Sequence, residues 1–326
     1  MAYYNRVKTP KFYIDAVLLA RQLGYINEEN NIGKYYLNPT KTTDVLYSGA
    51  GDSYLDISFT DRKFLNSLTY CFVLGHQLST DGVNAKAYII DDTADTLSYL
   101  VGSSSQAETF DNNGFSKFEG DVETSLNANR FVFHIDGSEN ESVFDTLTPI
   151  GDVSIGWSYA MPHSPDLELT QTFSNESQKV QTTKGGHTLT NTGWNQPPKW
   201  GNYPQWNILT TNIAYPSRRS WSLKFSYLND TDMMPEYYNN YDINDNRGIF
   251  EKTGGSADAN TETFSIKNDF LSKVFAGTNG FQLPFIFQPD STVEEYAIAR
   301  VNANSVTMNQ VANNVYDISL DIIEVW

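Results

Sequence analysis

The residues most able to do chemistry in this chain are four histidines and one cysteine, and their spacing argues against local metal or nucleophilic chemistry. His76, His134, His163 and His187 stand far apart, and none lies within four positions of another histidine or of the cysteine. A zinc site built from neighbouring ligands needs such spacing, so we expect structural or surface imidazoles, no metal and no other cofactor. Cys71 lies inside the apolar run TYCFVL, which predicts a buried small side chain rather than a nucleophile.

Acidic residues are abundant, but their patterns do not define a catalytic or calcium site. Residues 242–248 read DINDNRG and begin like a calcium loop, yet Arg247 replaces the required glycine and Thr253 the required glutamate, so an EF-hand is rejected. A looser oxygen-ligand site and a solvated Asx-rich turn remain as interpretations. Pairs such as Asp91 with Asp92 would serve a glycosidase only across a cleft, and 39 acidic residues make chance pairs common. Because no G-x-S-x-G elbow and no phosphate-binding loop is present either, we expect no enzyme.

The overall charge bears on the class of partner. The 326 residues carry a formal net charge of −17, the pI is about 4.5, and no basic cluster is longer than Arg218 and Arg219. Direct nucleic-acid binding needs a basic stripe, so we expect no nucleic-acid partner. The apolar stretch at 16–20 is too short to span a bilayer, and we see no secretory signal. We therefore expect no membrane partner and no export by an N-terminal signal.

Composition and patterning predict an all-β fold, mainly β with one or two short helices. Aromatic residues make up 14% of the chain and charged residues only 19%, which favours strands over helices. Apolar or alternating runs mark strands at 69–74, 85–90, 130–135, 220–227, 285–287, 296–302 and 315–325. In the run 220–227 we expect one buried face formed by Trp221, Leu223, Phe225 and Tyr227. Residues 101–128 predict a long loop or an irregular excursion, and we expect the first and last strands to share a sheet.

Two short helices are expected near the ends of the chain. Residues 11–24 read as a strand that enters a helix capped by Asp15 and ended by Gly24. Residues 268–277 read NDFLSKVFAG, in which Asn268 is the expected cap and Gly277 the expected left-handed stop. The helical period places four apolar residues on one stripe of this second helix: Phe270, Leu271, Val274 and Phe275.

Three stretches resemble structural proteins of tailed bacteriophages. The helix at 268–277, followed by GFQLPFIFQPD and two strands, is similar to the C-terminal part of tail-tip and minor tail proteins. SWSLKFSY at 220–227 looks like the strand that these proteins carry before their C-terminal helix. YCFVLGHQLSTDGVNAKAYI at 70–89 resembles a piece of a galactose-binding-like jelly roll, with Gln77 in place of asparagine. The resemblance implies a β-sandwich, jelly-roll-like region over 1–150 and a tail-protein-like β region over 151–326.

A Trp- and Pro-rich stretch within 158–207 is the candidate interaction site. The string WNQPPKWGNYPQW combines rigid turns with large rings; prolines limit strand pairing, and Trp and Tyr often anchor interfaces. We expect an arm ordered chiefly by a neighbouring subunit, with freedom supplied by Gly185, Gly186 and Gly193. A loop folded over the protein's own sheet is the alternative. The candidate interface residues are Trp194, Pro197, Pro198, Trp200, Tyr203 and Trp206.

The resemblance and the aromatic arm together predict a function in assembly. The expected protein is a structural component of a phage tail, in the tail tip, the baseplate or an adjacent ring. It would be synthesised in the host cytoplasm and located in the tail of the virion. Its expected partners are copies of itself, in a ring-type homo-oligomer, and other tail proteins. The alternative is a carbohydrate-binding adhesion module for host recognition, in which rings such as Trp200 stack on a host surface glycan.

Overall fold

The structure is a computed structural model that describes residues 7–26, 52–60, 64–65, 68–74, 84–91, 94, 96–104, 108–110, 115–122, 128–136, 152–167, 169–174, 178–192, 218–234 and 268–325. Strands predominate in these residues, which confirms the all-β class. The strands are β1 Lys11–Asp15, β2 Asp52–Ser58, β3 Tyr70–Leu74, β4 Asn84–Asp91, β5 Thr96–Val101, β6 Glu108–Thr109, β7 Phe115–Glu119, β8 Arg130–Asp136, β9 Asp152–Ala160, β10 Thr170–Ser174, β11 Gln178–Thr182, β12 Thr188–Thr192, β13 Arg218–Asn229, β14 Phe285–Gln288, β15 Ala297–Val301, β16 Met308–Ala312 and β17 Val315–Glu324. The helices are short: α1 Ala16–Gln22, α2 Asp230–Met233 and a π-helical turn, Leu271–Ala276.

The described strands form three antiparallel sheets. The largest has ten strands in the order β10-β13-β17-β15-β14-β1-β9-β3-β7, with β16 paired to β17. The second has five strands in the order β2-β8-β4-β5, with β6 paired to β4, and the third consists of β11 and β12. β1 and β17 share the ten-stranded sheet, as the sequence predicts for the first and last strands. β1, from the first predicted region, pairs with β14 and β9, which both come from residues after 150. The division of the chain into two regions at residue 150 stays a prediction.

One apolar core joins the two larger sheets in a β-sandwich-like arrangement. Ile57 and Phe131 of the five-stranded sheet belong to the same buried cluster as Phe72 and Trp157 of the ten-stranded sheet. Burying one large apolar side chain contributes about 1.5–3 kcal/mol to the free energy of unfolding. The jelly-roll-like, galactose-binding-like character of the first region stays a prediction.

The junction of β1 and α1 forms as the sequence predicts. Asp15 Oδ1 accepts a hydrogen bond from Leu18 N at 2.9 Å and caps α1, and Gly24 follows the helix with a left-handed φ of 76°. Gly156 of β9 lies opposite Asp15, and a Cβ at Gly156 would be only 1.8 Å from Ile14 O. Glycine therefore allows β1 and β9 to pair in this register.

A bulge in β13 overturns part of the predicted buried face. Trp221, Leu223 and Phe225 are buried as predicted, but Tyr227 is 78% exposed. The register of β13 against β17 shifts between Phe225 and Leu228, and Tyr227 has a left-handed φ of 63°. A bulge inserts an extra residue, so the side chain after it no longer follows the alternation. Leu228 takes the buried position instead of Tyr227.

The predicted helix near residue 270 is present, but both of its predicted ends are wrong. Leu271–Ala276 form a π-helical turn, and Asp269 rather than Asn268 binds a free N–H group, since Ser272 N donates to Asp269 Oδ1 at 2.8 Å. Gly277 is not a left-handed stop, because its φ is −61°. An added Cβ at Gly277 would lie 2.2 Å from a carbonyl oxygen of the preceding turn. Close packing, rather than a left-handed backbone, accounts for this glycine.

Several short strands lie in stretches for which the sequence predicts no strand. β7 falls within 101–128, so the prediction of one long loop there is wrong: Phe115 and Phe118 of β7 are buried in the core. β16 forms a hairpin with β17, closed through Asn314 with a φ of 57°. Four of the five residues of β16 are exposed, so no apolar alternation marks this strand.

A buried ion pair joins β13 to β17. Arg219 Nε lies 3.4 Å from Glu324 Oε2, and Arg219 N donates to the same oxygen at 2.9 Å. The guanidinium of Arg219 also binds Glu295 and donates to Tyr296 O at 3.0 Å. Burial raises the pKa of Glu324, and the charge of Arg219 opposes that rise. Removing one partner of such a pair leaves an uncompensated buried charge, which is strongly destabilising.

Candidate interaction surface

β10 forms one edge of the ten-stranded sheet. Its inner side pairs with β13, from Thr170 opposite Ser222 to Ser174 opposite Arg218, and its outer side pairs with no strand in the described part of the chain. The strand reads TQTFS, and Phe173 is 56% exposed. Edge strands are usually protected by charged side chains, proline or a bulge. β10 has none of these between residues 170 and 174, so within the part of the chain that the structure describes its outer edge lacks the usual protection against pairing with another strand.

β11 and β12 form a hairpin whose turn chemistry explains its register. The strands pair from Gln178 opposite Thr192 to Thr182 opposite Thr188. Thr183 N donates to His187 O at 2.9 Å, and Gly186, with a left-handed φ of 81°, donates its N–H to Thr183 O at 2.9 Å. A short loop that ends in a left-handed glycine is a common hairpin connection. From the sequence, Gly185 and Gly186 are expected to supply flexibility. In the structure, Gly186 instead occupies a defined position in the turn.

The hairpin β11–β12 is exposed on both faces. Every side chain from 180 to 190 is exposed, including Val180 at 60% and Leu189 at 59%. Val180 lies opposite Thr190, and Leu189 lies opposite Gln181, so the two apolar residues occupy different faces of the hairpin. Neither strand pairs with any third strand that the structure describes. An isolated two-stranded hairpin is only marginally stable in water, so this element is suited to packing against a partner.

The sequence-predicted interface residues lie outside the described residues. This applies to all six of them: Trp194, Pro197, Pro198, Trp200, Tyr203 and Trp206. β12 ends at Thr192, two positions before Trp194. The chain therefore enters the predicted arm directly from the exposed hairpin. The sequence signal that would have found this hairpin is the Gly-Gly pair between two Thr-rich stretches, KVQTTKGGHTLTNT.

A buried polar cluster lies where β1, β3 and β9 meet. Burial raises the pKa of Asp15 to about 6, while hydrogen bonds from the Leu18 N–H and the Ser154 hydroxyl limit the rise. Burial and the nearby charge of Asp15 raise the pKa of Asp152 well above its ordinary value. Tyr70 Oη lies 3.2 Å from Ser154 Oγ within the same cluster. Because both carboxyl groups are buried, they bear on stability rather than on a surface site.

The remaining candidate residues for chemistry do not converge in the described part of the chain. His134 and His163 are half-buried, His187 is exposed in the hairpin turn, and His76 lies outside the described residues, as does the loop at 242–253. Across the described ranges, no group of three or more His, Cys, Asp and Glu side chains could hold a metal ion. Cys71 is fully buried, as predicted, and burial raises the pKa of its thiol.

Comparison of the chain with protein families, with curated proteins and with solved structures found no match. None of the helices in the described ranges is long and apolar enough to cross a membrane.

Proposed function

We propose that this chain is a structural component of a bacteriophage tail, in the tail tip, the baseplate or an adjacent ring. It acts by assembling with copies of itself and by binding neighbouring tail proteins, and no catalytic step is part of this function. The proposal of assembly is supported by the outer edge of β10, which pairs with no strand in the described residues, together with the exposed hairpin β11–β12. The specific setting, a phage tail inside a virion made in the host cytoplasm, rests on the sequence resemblance.

The edge of β10 supports assembly by strand addition. The unpaired backbone groups of an edge strand form a template for another strand, and main-chain hydrogen bonds then supply affinity. Phe173, exposed on β10, would be covered by an added strand or its side chains. A hydrophobic side chain that becomes buried on association contributes to binding in the same way as core burial contributes to folding.

Only the sequence supports the location in a phage tail. The strand β13 contains the Trp221 pattern that resembles tail proteins, and β14 contains the FIF pattern that follows their helix. Both patterns belong to strands of one sheet, with Trp221 packed against Phe287 at a ring distance of 5.2 Å. This contact is compatible with a tail-protein-like C-terminal region, which stays part of the proposal.

The proposal is tested by measuring association of the purified chain. Light scattering coupled to size-exclusion chromatography should show a concentration-dependent homo-oligomer, and negative-stain images should show rings. Replacing Trp200 and Trp206 by alanine should weaken association, because aromatic anchors usually dominate interface energy.

Mass spectrometry of particles purified from the natural source should detect the chain. A strict monomer that binds no particle protein would refute the proposal, and Trp200-dependent binding on a glycan array would favour the adhesion module.

A further inference from the structure

We infer that the hairpin β11–β12 is a positively charged docking arm that binds the acidic surface of a second copy of this chain. The inference rests on the proposed function, since it assumes that copies of the chain associate. The inference goes beyond the proposed function because it names the element that docks, the acidic surface that receives it and the electrostatic attraction between them.

The charges of the chain are segregated along its sequence. Between Glu176 and Asp230 lie 53 residues, 177–229, without a single aspartate or glutamate. An even spread of the 39 acidic residues over 326 positions would place about six of them there. The same stretch holds six basic residues: Lys179, Lys184, Lys199, Arg218, Arg219 and Lys224. The rest of the chain contains the remaining 16 Lys and Arg residues and all 39 acidic residues, so its net charge is −23.

The hairpin presents one positive charge of this stretch, Lys184, to solvent. Lys184 lies in the exposed turn between β11 and β12, and it forms no ion pair with any residue that the structure describes. Arg219, by contrast, is buried in its pair with Glu324. The hairpin from 178 to 192 carries two lysines and no acidic residue. It is therefore an exposed cationic element on a strongly anionic protein.

A second copy is the occupant that this distribution favours. Two anionic surfaces of a self-associating chain repel one another, and a cationic arm that reaches across removes that repulsion locally and selects orientation. The hairpin of one copy and the acidic remainder of the next copy are complementary. Because the arm and the surface that receives it are different patches, the contact is either reciprocal, which closes a two-fold dimer, or head-to-tail, which closes into a ring or continues as a filament. Two lysines are too few for a nucleic-acid stripe.

The test reverses the charge of the arm. We compare the wild type with Lys179→Glu combined with Lys184→Glu, and with a matched control, Lys224→Glu combined with Arg300→Glu. Both control residues are exposed on strands outside the hairpin, so the two double variants change the net charge equally. Melting temperatures should match the wild type, because surface substitutions of this kind have small effects on stability. The dissociation constant for self-association, measured by analytical ultracentrifugation, should rise about tenfold or more for the hairpin variant. The control variant should change it far less.

Salt and mixing supply two independent readouts. Self-association of the wild type should weaken between about 0.05 M and about 0.5 M NaCl, because salt screens exposed charges. The hairpin variant still offers its acidic surface, so adding it to the wild type should shorten or cap wild-type assemblies.

Wild-type assembly that resists salt and is unchanged in the hairpin variant overturns the inference and leaves the proposed function standing. A wild type that stays monomeric and binds no tail protein overturns both. Hairpin-dependent binding to phosphatidylserine vesicles without self-association overturns the docking arm in favour of a membrane.

Discussion

The buried carboxyl group of Asp15 should make the protein less stable above pH 6 than it would be with a neutral side chain at this position. Asp15 is 5% exposed and caps α1 through the Leu18 N–H, and burial raises its pKa from 3.8 to about 6. An acid whose folded-state pKa is raised contributes stability below its unfolded-state pKa, and that stability is lost as the pH rises through the folded-state value. The relevant window for Asp15 therefore runs from about pH 4 to about pH 6.

The substitution Asp15→Asn removes this ionisation, and with it the charge of Asp15 that helps to raise the pKa of Asp152. Asparagine keeps an oxygen that can accept the Leu18 N–H bond, but it cannot ionise. A pKa difference of about two units corresponds to about 3 kcal/mol. We subtract the free energy of unfolding of the wild type from that of the variant. This difference should be about 3 kcal/mol larger at about pH 8 than at about pH 4, because only the wild type loses stability as Asp15 ionises. Lost hydrogen bonds of the asparagine amide would add a constant offset, which does not change this pH dependence.

The assay is urea unfolding, monitored by tryptophan fluorescence, at pH values from about 4 to about 8. Glu119→Gln is the control of opposite sign: although burial alone would raise the pKa of Glu119, its hydrogen bond and ion pair with Lys11 lower it. That variant should lose at most about 1 kcal/mol near neutral pH, since the pair is half-exposed, and the difference should vanish toward low pH. A difference between Asp15→Asn and the wild type that stays flat with pH would show that Asp15 titrates normally, and the burial argument would then be wrong.

Three further tests, each measured by urea unfolding, address the core and its backbone contacts. Trp221→Ala should cost about 3–5 kcal/mol, whereas Tyr227→Ala on the exposed bulge should stay within about 0.5 kcal/mol; equal effects would contradict the bulge. Gly156→Ala should prevent folding or cost more than about 3 kcal/mol, because its Cβ would meet the β1 backbone; a stable, native-like variant would disprove the close approach. Arg219→Met should cost about 3–5 kcal/mol, and adding Glu324→Leu should recover part of that loss, although it also removes the acceptor of the Arg219 N–H; no recovery would mean that the pair is not coupled.

Sequence reasoning succeeded where the relevant interactions are local. The cap at Asp15 involves an N–H three residues away, and the alternation of β17 needs only its own ten residues. Both depend on periods and turn chemistry that a short window contains. The all-β class follows from the same kind of signal, summed over many such windows.

Sequence reasoning failed where a distant partner decides the geometry. Nothing in SWSLKFSYLN marks the bulge, because it exists only in the register of β13 against β17, about 90 residues later. The need for glycine at 156 appears only once Ile14 O is known to lie opposite. Gly277 has this explanation in part, since Trp157 and Ile14 lie within about 3 Å of an added Cβ, in addition to the nearby Lys273 O at 2.2 Å. A local rule such as the left-handed helix stop cannot detect contacts of this type.

Aromatic content alone does not distinguish a core from an interface in this chain. Trp157 and Trp221 are among the largest fully buried side chains, although tryptophan was the main sequence signal for the predicted arm. What separates the arm from the core strands is context: Trp221 stands in an alternating strand, whereas Trp194 and Trp200 stand among prolines and glycines. The charge distribution provides a second signal that owes nothing to aromatic residues. The acid-free stretch 177–229 contains both the exposed hairpin and the predicted arm, so two independent properties of the sequence, its large aromatic residues and its charge distribution, favour the proposed contact in the same part of the chain.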